Sequence, residues 1–371
     1  MSDRPRVLFV FNRPRAEREA AYRAGDAPDD AFYGLHALRE RGFDTFYSDA
    51  GHEFTRLGRV YKFIDDTISR QGSRTGFHWW QAKQLADVAN EADLVFATAD
   101  SSALPFLWLR RRGIVRTPIV YATIGLVHTY PWALGRVARF YRGLMPQASR
   151  VVHFGHGEGA RLIGDFGVDP ARVRHVPFGV DADFYRSENS PTNPAAAPLA
   201  FGMDERRDWK LLAQAMNGCG MNLDLVTHPR FVEGIALPEE IRRIDPVSFR
   251  ALRSRIAAAP FLVFPVKENP YTGATISLLS AMAMGKAAIV SRTSAIAQGY
   301  GLVDGDNVIF VAPGDPTAMR DAAADLLADS DKARRIGDAA ATHVLSGYTI
   351  AHMADALAEI FRESLAEGGA R

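Results

Sequence analysis

Phe264–Val290, FPVKENPYTGATISLLSAMAMGKAAIV, is the stretch on which the reading of this chain turns. The apolar strand FLVF ends at Phe264 and breaks at Pro265, then again across Asn269-Pro270-Tyr271-Thr272-Gly273. A helix of small and apolar residues follows, stops at Gly285, and gives way to a further strand over Ala287–Val290. A buried strand, a Gly/Pro loop and a helix with a tight, small first turn make a βαβ unit. The N–H groups at the start of such a helix are ready to meet an anion. The stretch therefore predicts a phosphorylated ligand at that helix start.

Outward from it, strands and helices alternate along the whole chain. In the second half, strands are predicted over 199–202, 223–227, 261–264 and 308–311, with helices over 209–217, 249–258, 316–327, 331–345 and 349–365. In the first half, RVLFVF at 6–11 has the continuous apolar character of a central parallel strand. Further strands are predicted at 43–47, 93–97, 118–122, 150–154 and 173–176, with helices at 32–41, 78–90, 103–112, 132–145 and 157–166. Residues 13–31 are polar and read as a loop, and 52–76 carry no clear pattern. This alternation predicts an α/β chain with two doubly wound parallel sheets. The aperiodic Pro/Ala/Ser run at 189–198 reads as the linker between domains at 1–188 and 199–348, with 349–371 as a closing helix. Two such sheets facing each other leave a ligand cleft at their C-terminal strand ends.

Composition narrows the class. The chain has 371 residues, long enough for two cores, with 47% hydrophobic and 23% charged residues, as in a globular protein. Lys+Arg 44 against Asp+Glu 43 gives a net charge of +1, which leaves no global field to attract nucleic acid. A single cysteine, Cys219, excludes an internal disulfide framework and a thiolate metal cluster. The first apolar run is too short for a signal peptide, and no uncharged apolar run is long enough to span a bilayer. A cytoplasmic enzyme is expected, with peripheral attachment at the inner face of the membrane open.

Ala281-Met282-Ala283-Met284-Gly285-Lys286-Ala287-Ala288-Ile289-Val290 resembles the E-A-M-A-x-G-x-P-V-V run of the retaining family-4 glycosyltransferases. Three further stretches match that family in order. Val176-Pro177-Phe178-Gly179-Val180-Asp181 is similar to V-P-N-G-V-D, and Gly202–Ala215 to G-R-x-x-x-K-G-x-x-x-L-x-x-A. Asp304-Gly305-Asp306-Asn307 with Val311-Ala312-Pro313-Gly314-Asp315 is similar to D-G-x-x-G followed by V-x-P-x-D. The resemblance covers most of 150–362, and the first 150 residues match only in architecture. It implies GT-B architecture: two facing Rossmann-like domains, the first for the acceptor and the second for a nucleotide-sugar donor, with the last helix crossing back onto the first. It further implies sugar transfer to a hydroxyl of a glycan, a lipid-linked or a small-molecule acceptor, with retention, in polysaccharide or glycoconjugate biosynthesis. The donor is a co-substrate, and neither a separate cofactor nor a metal is expected. Two glutamates of the family motif fall in register on Thr272 and Ser280, and its arginine on Met203. Glu268 is the nearest upstream carboxylate.

Breaking a glycosyl bond to a diphosphate needs fixed positive groups for the growing charge. Arg207 stands at the family's lysine position, with Gly202 opening the segment and Arg206 beside it; arginine's rigid fork suits phosphate. Each of the two arginines has a surface role as its alternative, and Lys210 is more at home exposed. Tyr271, Thr272, Gly273, Ala274 and Thr275 form the expected diphosphate cradle, although the two threonines serve equally well as helix caps. Ser280 either reaches the ribose or packs helix on sheet. In the first half, His128 follows a strand and is a candidate to bind sugar or orient the acceptor hydroxyl, against a structural hydrogen bond. Asp100, the Asp29-Asp30 pair and Gly34 are weaker candidates at strand ends, the last three in the acceptor loop that the resemblance implies. His153, His156 and Glu158 cluster in sequence without a second carboxylate at metal spacing. The basic amphipathic stretch 132–145 either lies on an anionic membrane or packs on its own sheet. Two other functions share these features: a non-catalytic nucleotide- or sugar-binding protein, and an enzyme acting on a different activated sugar phosphate.

Overall fold

The computed structural model describes residues 4–52, 55–68, 77–129, 136–186, 193, 196–268 and 273–369. The chain divides into two compact units. One comprises Met1–Ala20, Phe32–Pro177 and Met353–Arg371, and the other Ala21–Ala31 with Phe178–His352. The division after Pro177 lies upstream of the Pro/Ala/Ser run, and residues 21–31 count with the second unit.

The first unit carries a parallel six-stranded sheet: β1 Arg6–Val10, β2 Asp44–Tyr47, β3 Leu94–Ala97, β4 Ile119–Thr123, β5 Arg150–His153 and β6 Val173–His175. Their order is β2-β1-β3-β4-β5-β6. The central strands β1, β3 and β4 are largely apolar because both faces are covered; Val7, Leu8, Phe9 and Val10 are all fully buried. Residues 13–31, expected as a loop, contain the helix Ala16–Arg23, in which Glu19 meets His36 Nε2 at 3.0 Å. The unpatterned stretch contains a helix as well, Arg56–Ile68. The helix expected over 78–90 is two short ones, Trp79–Gln84 and Ala86–Asn90, broken at Leu85.

The second unit repeats the plan with β7 Leu199–Phe201, β8 Leu223–Val226, β9 Ile241–Ile244, β10 Leu262–Phe264, β11 Ala288–Ser291 and β12 Ile309–Val311. Here the order is β12-β11-β10-β7-β8-β9, again all parallel. Counted within the unit this is the Rossmann order, and the chain direction of the sheet reverses between β7 and β10. Strand β9, IRRI, was absent from the sequence reading because an edge strand needs no apolar run. Arg242 on it pairs across to Asp224 of β8 through two bonds of 2.7 and 2.6 Å. No helix among the described residues is long and apolar enough to cross a membrane.

The closing helix Ile350–Gly369 lays Phe361 into the first unit's core, 5.2 Å from Phe96 and 5.7 Å from Phe43 between ring centroids. Arg150, almost wholly buried at its side chain, bonds Glu363 at 3.0 Å and Glu367 at 2.6 Å on the same helix. Phe361→Ala is expected to cost about 3–5 kcal/mol in urea denaturation, because it deletes a large buried side chain. A loss below ~1 kcal/mol would mean that the helix is dispensable to that core.

Candidate functional site

In a doubly wound sheet the strands on either side of the reversal send their following loops apart, which leaves a crevice at the C-terminal edge. In the second unit that point lies beyond Phe201 of β7 and Phe264 of β10. The two loops that leave it are joined to each other. Asp208 N–H donates to Pro265 O and Lys267 N–H to Arg206 O, both at 2.9 Å, and Arg207 bridges Val266. Val266 N–H donates to Ser291 Oγ at 3.0 Å, which fixes the second loop to β11.

Arg207 occupies the centre. Its side chain is 1% exposed, with Nε donating to Asp204 Oδ2 and Nη2 to Ser277 Oγ, both at 2.9 Å. The guanidinium carbon stands 5.6 Å from the Phe264 ring centroid. Nη1 is buried and has no acceptor among the described residues. Gly202 makes this placement possible, since a Cβ there would fall 2.6 Å from Arg207 Nε. Asp204 and Ser277 were not singled out from the sequence. The Asp204-x-x-Arg207 spacing was a readable signal for the first, and none existed for the second.

The helix predicted from the opening stretch runs Thr275–Ala283 and is followed by Gly285 at φ +70°. Its N-cap is Ala274, at φ +71° and with no side-chain cap. Alanine in the left-handed region carries backbone strain of about 1–2 kcal/mol, and such strain concentrates at ligand sites. Gly273, Ala274 and Thr275 are buried at this end, while Tyr271 and Thr272 lie outside the described residues. Arg207 reaches the first turn of the same helix through Ser277, so a fixed cation and an uncapped helix N-terminus share one place.

The remaining sequence candidates sit elsewhere. Arg206 is half-buried, with its N–H on Asp204 Oδ1 at 3.0 Å. Lys210 is exposed and lines a separate groove of about 420 Å³ with Gln214, Asn217 and residues 234–238. Glu268 is exposed and accepts from Ser294 N at 3.2 Å and Oγ at 2.7 Å, holding the start of the Ser294–Gly299 helix. Ser280 is 1% exposed, bonds back to Ile276 O, and also meets the Tyr185 hydroxyl. Tyr185 in turn donates to Asp30 Oδ2 at 3.0 Å, and Asp181 N–H donates to Asp30 Oδ1 at 2.7 Å. Desolvation pushes the Asp30 carboxyl up to about 7. The Asp29-Asp30 pair, placed by the sequence in an acceptor loop of the first domain, thus belongs to the second unit and bonds Asp181.

In the first unit, His128 lies in the short helix Leu126–Thr129, with its side chain outside the described ones. Asp100 is buried and accepts from Tyr121 Oη at 2.5 Å, Thr123 Oγ1 at 2.8 Å and Ile124 N at 3.2 Å, so it ties the ends of β3 and β4 together. Tyr33 at φ +52° and Gly34 at φ +79° form a left-handed pair, with Gly34 packed against Ala354. Burial lowers the His153 pKa to about 4 and raises that of Glu158 to about 7. His153 Nδ1 meets Gly155 O at 2.8 Å, and Gly155 N–H donates to Glu158 Oε2 at 2.8 Å. In the Arg136–Leu144 helix, Tyr141 and Leu144 are fully buried in the unit's core. Residues 132–135 of the stretch proposed for membrane contact, Trp132 and Leu134 among them, lie outside the described residues.

Residues 209–329 match the family model described as glycosyl transferases group 1, so the second unit carries a segment of that kind. A comparison with curated proteins gives no match. Among solved structures, a glycosyltransferase from Rickettsia africae superposes with a TM-score of 0.65 at 13% identity, over 98% of this chain and 99% of that one. HepE of Anabaena, in complex with UDP and glucose, gives 0.66 at 14% identity over 96% and 99%. A sucrose-phosphate synthase from Thermosynechococcus elongatus gives 0.65 at 16% over 98% and 100%. The shared fold is that of GT-B glycosyltransferases, with two Rossmann-like domains.

Glu158 gives a pH test of the first unit. From its ordinary value of 4.5 up to about 7, the folded chain holds a proton that the unfolded chain has released. Its contribution to stability is therefore complete at low pH and falls as pH rises through that window. His153, lowered to about 4, has the opposite sign up to its ordinary 6.5, so the comparison must be differential. Glu158→Gln is expected to gain on the parent by up to about 3 kcal/mol between pH 5 and pH 8 in urea denaturation. A difference that stays flat with pH would remove the buried acid from this account.

Proposed function

We propose that the chain is a retaining, family-4 glycosyltransferase that moves a sugar from a nucleotide-sugar donor to an acceptor hydroxyl. The second unit holds the donor and the first the acceptor. The observation that carries this reading is the buried Arg207 guanidinium with its unmatched Nη1, two residues before the group 1 segment, beside the uncapped Thr275–Ala283 helix within it. A diphosphate supplies what that place lacks: an acceptor for Nη1 and a negative group for the helix N-terminus. As the glycosyl bond breaks, charge grows on the departing diphosphate. Arg207 is already held by Asp204 and Ser277, so little reorganisation is needed to stabilise that charge. HepE, which has the same fold, is recorded with UDP and glucose, in line with a nucleotide-sugar donor. The chemistry proposed needs no resident metal, and no described group of three His, Cys, Asp or Glu residues is arranged to hold one.

One observation favours a second reading, a binder without turnover: the positions of both family glutamates are uncharged, and Ser280 is enclosed in hydrogen bonds to Ile276 and Tyr185. Hydrolysis of the donor by the purified chain, without acceptor, separates the two.

A panel of UDP-, GDP- and dTDP-sugars should contain at least one that raises Tm. Arg207→Ala should weaken that donor by about tenfold to a hundredfold in calorimetry, and Arg207→Lys less, as removal of a charge-assisted contact predicts. The reading fails if no nucleotide sugar shifts Tm, or if Arg207→Ala binds the donor as the parent does.

A further inference from the structure

A helix on the surface of a globular unit normally turns its apolar stripe inward. Over its described side chains, Arg56 to Phe63, the Arg56–Ile68 helix does the reverse. Leu57, Val60 and Phe63, spaced three apart and so close to one face, are 61%, 56% and 71% exposed. The side turned inward carries Gly58, which is buried, and Tyr61, whose ring lies 5.4 Å from that of Trp80. Other large exposed apolar residues among the described ones, such as Ile114, Met203 and Val303, are scattered along the chain. Interleaved with the apolar triplet are three exposed cations, Arg56, Arg59 and Lys62. The acids of this helix, Asp65 and Asp66, come after the triplet in sequence.

We propose that this helix is a docking surface for an anionic lipid bilayer. Apolar side chains bracketed by cations match such a surface on two counts: the stripe enters the acyl boundary, and the basic groups meet the headgroup phosphates. Pairing with a second copy through the same face, which could set Arg56 and Arg59 against Asp65 and Asp66, is the outcome that the test below separates from lipid binding. Tyr141 and Leu144 of the other basic helix, Arg136–Leu144, are enclosed in the core and unavailable for this purpose. The inference is independent of sugar transfer, because binding is measured with neither donor nor acceptor.

The test is co-sedimentation of the full chain with vesicles of phosphatidylcholine alone and of phosphatidylcholine with one quarter phosphatidylglycerol. The parent should bind the anionic vesicles and release from them in high salt. The triple variant Leu57→Ser/Val60→Ser/Phe63→Ser should bind about tenfold more weakly or worse, since it removes the buried apolar area. The charge variant Arg56→Glu/Arg59→Glu should also lose binding, and both should keep the parent's Tm because the changed side chains are exposed. The proposal is overturned if the parent binds neither vesicle, or if both variants bind as the parent does. It is also overturned if the triple variant abolishes a concentration-dependent dimer and leaves lipid binding unchanged.

Discussion

The Arg207 guanidinium is enclosed at the edge of the second sheet. Removing a guanidinium from water costs several kcal/mol, and one partly exposed carboxylate, Asp204, offsets only part of that. Its neighbours are arranged around this fact. Gly202 lacks the side chain that would collide with it, Phe264 offers a ring face, and Ser277 accepts one N–H. A sequence selected for stability alone would match Nη1 with an acid or replace the arginine by an apolar residue. An unmatched buried donor is rare in folded proteins and needs a reason. On the donor reading proposed above, a phosphate oxygen would complete the fork and balance the charge together.

The second component of the site is backbone rather than side chain. Ala274 is held left-handed, and Gly273 just before it carries no side chain at the helix start. The described starts of the two loops at the crevice are tied. One is bonded to the other through Asp208 and Lys267, and then to β11 through Ser291. A crevice whose walls are tied in the absence of ligand needs little reorganisation when charge moves within it.

This explains what the sequence could reveal. The alternation of apolar strands with helices was legible because strands buried on both faces are mostly apolar, and the opening stretch located the helix start. Three features were illegible for physical reasons. The Ala16–Arg23 helix is polar and meets its neighbour through the Glu19–His36 hydrogen bond, which leaves no periodicity to read. Strand β9 lies at an edge and uses Arg242 against Asp224, so it reads as polar. The Arg56–Ile68 helix turns Leu57, Val60 and Phe63 outward, and such a pattern gives no burial signal. Within the site, Arg207 and Gly202 followed from motif position, but Ser277 did not, because its role depends on a contact 70 residues away in the chain.

The same limit applies to the missing acids. A motif reports which residues stand along one helix, and by that measure Thr272 and Ser280 leave the donor segment without carboxylates. Folding adds a group that no local pattern contains. Asp30 comes from the segment between β1 and β2, counts with the second unit, and meets Ser280 through the Tyr185 hydroxyl. Its carboxyl, raised to about 7, is divided between neutral and charged forms near neutrality, whereas a glutamate in water would be fully ionised. The Ser280 face of the helix thus meets Asp30, through Tyr185, rather than a carboxylate of its own. On the reading proposed above, stabilisation of the leaving diphosphate falls to Arg207 and the helix N-terminus.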